Sequence, residues 1–292
     1  MNSYNDCPLF IKIKNMYPSM SKGHRKIANY ILENYDKAGF MTALKLGETA
    51  GVSESTAVRF AYELGFEGYP EFQKELSETA RRKLTFIQRM DLAENRTKGQ
   101  DVLQRVTNLD IESIRSTMEN ISKEEFSSIV DIITSARKVY IIGSRSAEPL
   151  AVFLHYYLNL MLDEVINVKS SGTTEVLQQV LKINKDDVII GISFPRYSAQ
   201  TLNALQYASD RNANVIAITD SLSSPIAKVS KYTLLAKSNM NSFVDSLAGP
   251  LSLLNALLVS ISVIKKDELS KTFSTLEKIW DEYGVYDKSE GV

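Results

Sequence analysis

The chain has 292 residues, 44% hydrophobic and 24% charged. This is an ordinary globular balance, on a chain longer than the ~250 residues at which single cores stop growing, so two domains are expected. No stretch suits a bilayer, since the most apolar run, LSLLNALLVSISV (Leu251–Val263), is short and holds three serines and an asparagine, where about 20 apolar residues are needed. The net charge of −1 argues against a nucleic-acid binder, but it averages +3 over residues 1–98 and −4 over the rest, a mildly basic module joined to a mildly acidic one.

The first residues lack the basic start and apolar run of a secretory signal. The single Cys7 leaves no internal disulfide framework and no cysteine-rich zinc site. A cytoplasmic protein is expected, with no metal and no cofactor.

From Pro18 to about Leu84 the pattern is helical. Ser21 can cap a helix with Ile27, Ile31 and Leu32 on one face, ending near Tyr35. Thr42 can cap a helix over 43–50, Gly51 supplies a turn, and Ser53 caps a third helix from Glu54 to Leu64. Gly65 sits where a left-handed cap is wanted, and Pro70 opens a helix running through residues 81–83. Residues 85–110 read as a helical connector. Ser122 and Glu125 then form a capping box ahead of an apolar face.

Beyond it the period changes. Residues 138–142, 165–168, 187–193, 214–219 and 232–236 are short β-rich runs alternating with helix-length segments, the mark of βαβ units and a parallel sheet. Leu247–Ile264 reads as a buried helix and Glu268–Tyr283 as an amphipathic one. The fold class is therefore α/β with an all-α N-terminal domain, a helix-turn-helix bundle joined to a doubly wound five-stranded parallel sheet. Its divisions are 1–84, a connector over 85–110, and 111–292.

In the helix pair, Ala50, Val52, Ala57, Phe60 or Ala61, and Leu64 can bury against the helix that Ser21 caps. Glu54, Ser55 and Arg59 then face outward, flanked by Ser53 and Thr56. A helix-turn-helix uses such an end in the major groove: amides and hydroxyls fix phosphates while longer side chains reach bases. Arg59 can take a guanine, and Glu54 can accept from a cytosine amino group. On pattern alone, an ordinary helical hairpin with a serine cap and a solvated face remains open.

The run GVSESTAVRFAYELGFEGYPEFQKEL resembles the N-terminal domain of the RpiR/MurR family of bacterial transcription regulators, with the pattern V-S-x-x-T-x-x-R-F-x-x-x-L-G-F-x-G-Y. Val52, Ser53, Thr56, Arg59, Phe60, Leu64, Gly65, Phe66, Gly68 and Tyr69 match it. Its core is also similar to the recognition helix of lactose-repressor-type regulators. That similarity implies Ser53 and Thr56 on phosphates and Glu54, Ser55 and Arg59 toward bases.

Two strand-to-helix junctions carry anion-binding groups: IIGSRSAEP with Ser144, Arg145 and Ser146, and GISFPRYSAQ with Ser193, Arg196 and Ser198. Such loops lie at the carboxyl edge of a doubly wound sheet, where ligands bind. Helix N-termini there attract anions, and arginine adds charge-assisted hydrogen bonds. TDSLSSP (Thr219–Pro225) is a third hydroxyl-rich junction. Serines capping helices would give each loop alone the same look. Residues 110–265 resemble the sugar-isomerase (SIS) phosphosugar-binding domain carried by RpiR-type regulators, with the patterns G-x-G-x-S and I-S-x-S-G-x-T-x-E. Gly143 and Ser193 are kept and the threonine becomes Ser198. Arg145 and Arg196 occupy glycine positions, Ala147 and Pro195 replace serines, and Gln200 replaces the glutamate.

Isomerases of this fold need a positioned acid/base pair. His24, expected at the surface, and His155, Glu148 and Asp245 offer none. The expected function is a transcription regulator binding a double-stranded operator as a homodimer or higher homo-oligomer. It senses a small anionic sugar-like effector and has no membrane partner. A phosphosugar isomerase with an added helical domain is the alternative, and a scaffold whose helices contact protein is a third.

Overall fold

The computed structural model describes residues 8–97, 101–169 and 172–286. Cys7 and part of the expected connector lie outside them. The chain divides into two compact units, Met1–Val102 with Met240–Val244, and Leu103–Asn239 with Asp245–Val292.

The first unit is all helical. It opens with α1 (Pro8–Met16), absent from the sequence reading, which buries Leu9, Phe10 and Ile13. α2 (Lys22–Glu33) starts where Ser21 accepts the His24 amide, and α3 (Tyr35–Ala38) is a single turn after it. α4 (Ala43–Ala50) is capped by Thr42, which accepts from the Lys45 amide. Gly51 follows with φ 68°, a left-handed conformation that a β-carbon would strain. α5 (Glu54–Glu63) is capped by Ser53, and α6 (Tyr69–Lys83) begins with Pro70 in its first turn. Both Phe60 and Ala61 are buried, with Ala57 and Leu64, while Ala50 and Val52 pack partly buried on the same core. Phe72 lies at its centre, edge-on to Phe60, Phe66 and Tyr69 at 5.5–5.8 Å between ring centroids. His24 is not a surface residue: its side chain is only 12% exposed. It sits edge-on to Phe60 and is hydrogen-bonded through Nδ1 to Glu63.

The expected connector is two helices. α7 (Phe86–Thr97) falls in the first unit, and α8 (Val102–Glu119) runs past residue 110 because its Ser113 and Thr117 are buried in the second. α9 (Lys123–Ser135) is capped by Ser122, which accepts the Glu125 amide. The capping box does not close. Ser122 donates to the Glu124 carboxylate at 2.8 Å, and Glu125 instead accepts the Thr233 amide at 3.4 Å.

Five strands follow, each within a residue of its expected ends: β1 (Val139–Gly143), β2 (Val165–Asn167), β3 (Val188–Ile192), β4 (Asn214–Thr219) and β5 (Tyr232–Leu235). All pair in parallel in the order β2-β1-β3-β4-β5. α10 (Glu148–Met161), α11 (Thr173–Gln179), α12 (Ala199–Ser209), α13 (Pro225–Lys228), α14 (Ala248–Ile264) and α15 (Lys266–Tyr283) complete the unit. Alternation along β1 sends Val139 and Ile141 to a core with α9, α10 and α14, and Tyr140 and Ile142 to one with α11, α12 and α13. Both faces are covered, which is why these strands read as continuous apolar runs. Among the described residues no single helix is long and apolar enough to cross a membrane.

Candidate DNA-binding helix and ligand site

At the start of α5, Ser53, Glu54, Ser55 and Arg59 are exposed and Thr56 is half-buried. The hydroxyls are linked: Ser53 Oγ lies 2.9 Å from Ser55 Oγ and 2.8 Å from Thr56 Oγ1, and it accepts the Thr56 amide at 3.3 Å. The first amides of the helix have no intrahelical acceptor and carry its positive end. Among the described residues neither Glu54 nor Arg59 makes an ion pair. The inward face of α5 is fixed by Phe60 and Ala57, so these five residues form one outward end. Lys26, on α2, donates to the Gly51 carbonyl at 3.2 Å and adds a cation beside that end. Nothing local in the sequence marked it, because the contact depends on how α2 packs.

The sheet order reverses at β1 and β3, and a crevice opens at the carboxyl ends of strands at such a point. Register sets Gly143 beside Ile192, so the loops after the two strands are neighbours. In the first loop Ser144 is buried and Arg145 and Ser146 are exposed. A β-carbon at Gly143 would come within 2.5 Å of the Ala147 carbonyl oxygen, so the loop folds back tightly there. Arg145 has φ 57°, a left-handed backbone on a residue that is not glycine. No side chain caps α10 at Ala147; a 3-10 turn over Arg145–Ala147 leads into the helix, and the Glu148 amide donates to the Arg145 carbonyl.

In the second loop Ser193 is buried and its Oγ accepts the Ser198 amide at 3.1 Å. Ser198 caps α12 by accepting the Thr201 amide at 3.3 Å, so the capping reading holds here and fails at the first loop. Arg196 is exposed. Ser144 Oγ lies 3.2 Å from the buried Thr201 Oγ1, which joins the two loops. Thr201 was missed although it stands only three residues beyond Ser198. The Tyr197 hydroxyl donates to Asp220 Oδ1 at 2.9 Å, tying in the third loop, where Ser224 is spent on capping α13. Among the described residues no ion pair joins Arg145 to Glu148 or Asp220.

The helix-turn-helix domain of the rpiR family matches residues 8–83, and the SIS domain matches residues 132–260. An HTH-type transcriptional regulator of Haemophilus influenzae is 26% identical over 231 residues, 77% of this chain and 78% of that protein. The sugar isomerase domain of an RpiR transcription factor from Sphaerobacter thermophilus superposes with a TM-score of 0.58 and 26% identity, over 61% of this chain and 99% of that one. The Vibrio vulnificus NanR protein, solved in complex with ManNAc-6P, has the same fold at a TM-score of 0.58 and 22% identity, over 94% of this chain and 98% of its own. This chain belongs to the rpiR family of helix-turn-helix transcriptional regulators, a DNA-binding protein whose second half is an SIS domain.

Proposed function

We propose that this regulator binds a small phosphorylated sugar or a related sugar anion in the crevice between the loops after β1 and β3. Ser144, Ser146, Ser193 and Ser198 supply hydroxyls, and Arg145 and Arg196 supply positive charge. The observation that carries this reading is the pairing of Ser144 with Thr201 at the switch point of the sheet. Beside it, the α10 start has no side-chain cap. Amides at such an end favour an anion. A phosphosugar is the class bound by NanR, which shares the fold.

At the other end of the chain, residues 1–84 read the operator. Ser53 and Thr56 hold phosphates, and Glu54, Ser55 and Arg59 address base edges. One recognition helix spans few base pairs, so two copies act on a two-fold site. Residues 85–110 connect the operator-reading part to the sensing part, 111–292. Occupancy need bias the pair by only ~1–3 kcal/mol. The protein works in the cytoplasm, where its operator is.

A thermal-shift screen of sugar phosphates, matched unphosphorylated sugars and inorganic phosphate tests the sensing half. A ligand at a hundredfold its Kd should stabilise the fold by about 2.7 kcal/mol. No shift with any phosphorylated sugar would overturn the proposal. An operator gel shift whose affinity falls steeply with salt tests the other half.

A further inference from the structure

The loops at the carboxyl edge of the sheet do not carry charge of one sign. Arg145 follows β1 and Arg196 follows β3, but Asp220 follows β4. Asp220 is half-buried and stands one residue beyond the end of its strand. Ile192 pairs with Ile218, and the Ser193 amide donates to the Ile218 carbonyl at 3.1 Å, so Asp220 lies beside the loop after β3. Two hydroxyls hold its carboxylate by one oxygen. Tyr197 donates to Oδ1 at 2.9 Å, and the buried Thr219 donates to the same atom at 3.4 Å. The other oxygen, Oδ2, accepts no hydrogen bond among the described residues. No ion pair among them joins the carboxylate to Arg145 or Arg196.

A carboxylate with an open oxygen beside an anion site weakens that site, because like charges repel. The arrangement favours a ligand with two unlike ends. Neighbouring strands lie about 4.8 Å apart, and β3 separates β1 from β4. The strand ends that carry Arg145 and Asp220 are therefore about 10 Å apart, a span that a phosphorylated hexose fills. We propose that Asp220 determines which phosphorylated sugar is sensed. Its Oδ2 accepts a hydroxyl of the sugar while the phosphate lies toward the loop after β1. A sugar whose far end carries a second anion, as in a bisphosphate or a phosphorylated sugar acid, meets the carboxylate and is refused. Tyr197 is the positioning residue. It occupies Oδ1, so the carboxylate is held in one orientation and Oδ2 stays presented to the ligand.

The proposal rests on the anion site between the loops after β1 and β3 and narrows its ligand to sugars with one phosphate and no other anion. The test titrates the full chain with hexose monophosphates, hexose bisphosphates and phosphorylated hexonic acids, reading each Kd from thermal shift. The unaltered chain should prefer a monophosphate. Asp220→Asn keeps the size of the side chain and an Oδ1 that accepts from Tyr197, but it exchanges the open oxygen for an amide donor. It should weaken the preferred monophosphate about tenfold or more, the loss of one hydrogen bond to a charged group. It should also shift the ratio of Kd values toward the doubly anionic sugars by at least tenfold. A purely structural role would change melting and all ligands alike, so an unchanged ratio overturns the proposal and leaves the anion site standing. Equal binding of bisphosphate and monophosphate by the unaltered chain overturns it as well. Absence of any shift with every phosphorylated sugar removes the anion site itself. Should Asp220→Asn not fold, Tyr197→Phe carries the test: the ratio should move in the same direction by a smaller factor, and a fixed ratio again overturns the assignment.

Discussion

Ser144 and Thr201 are 57 residues apart in the chain and 3.2 Å apart in space, hydroxyl to hydroxyl, and both are buried. The contact exists because β1 and β3 are neighbours in the sheet although β2 lies between them in sequence. Thr201→Val keeps the bulk and removes the hydroxyl. It should cost about 1 kcal/mol in urea denaturation, the net worth of a typical hydrogen bond. If the pair also lines the effector site, binding of the effector found by thermal shift should weaken as well. Unchanged binding together with the stability loss would reduce the pair to a packing contact.

Arg145→Gly separates backbone from side chain. The left-handed conformation costs a non-glycine residue roughly 1–2 kcal/mol, offset by the greater freedom of glycine in the unfolded chain, about 0.4–1 kcal/mol. A net gain of about 0.5–1 kcal/mol on thermal melting is expected. Effector binding should fall, because the exposed guanidinium is lost. Arg196→Ala should weaken the same ligand by roughly one to two powers of ten if it donates to a charged group. A loss of stability with normal ligand response in either variant would mean that the arginine serves the fold.

Ser53 both caps α5 and stands at its outward end. Aspartate is as good a cap and suits the positive end of the helix. Ser53→Asp should therefore melt within a few tenths of a kcal/mol of the parent, whereas Ser53→Ala should lose about 1 kcal/mol. Only a phosphate facing the residue makes aspartate harmful. Operator binding by Ser53→Asp should be lost in a gel shift, and retained affinity would show that the serine is a cap and nothing more.

Arg59→Ala should fold normally, since the side chain is exposed. Specific operator affinity should drop by the ~1–3 kcal/mol of one bidentate base contact. Binding to unrelated DNA should change far less. Equal losses on both would reassign Arg59 to the phosphate backbone.

Much of this architecture was legible locally. Ser21, Thr42, Ser53 and Ser122 announce helix starts because a cap bond spans three residues. Gly51 and Gly65 announce turns because their left-handed backbones suit no other residue as well. The five strands are continuous apolar runs because both their faces are covered.

Tertiary structure decided the rest, wherever a side chain's partner lies far along the chain. α1 is too short to show a period of its own, and it is helical because Phe10 and Ile13 have a core to enter. His24 turns inward because Phe60 and Glu63 arrive from another helix. Glu125 leaves its capping box for the Thr233 amide on a distant strand. Ser113 and Thr117, which any pattern would place in water, are buried because Asn239 and Lys237 come to meet them. At a helix start, a short side chain such as serine or threonine reaches only its own turn, so its cap bond follows from residue type and spacing; longer side chains and burial are set by whichever surface the fold brings alongside.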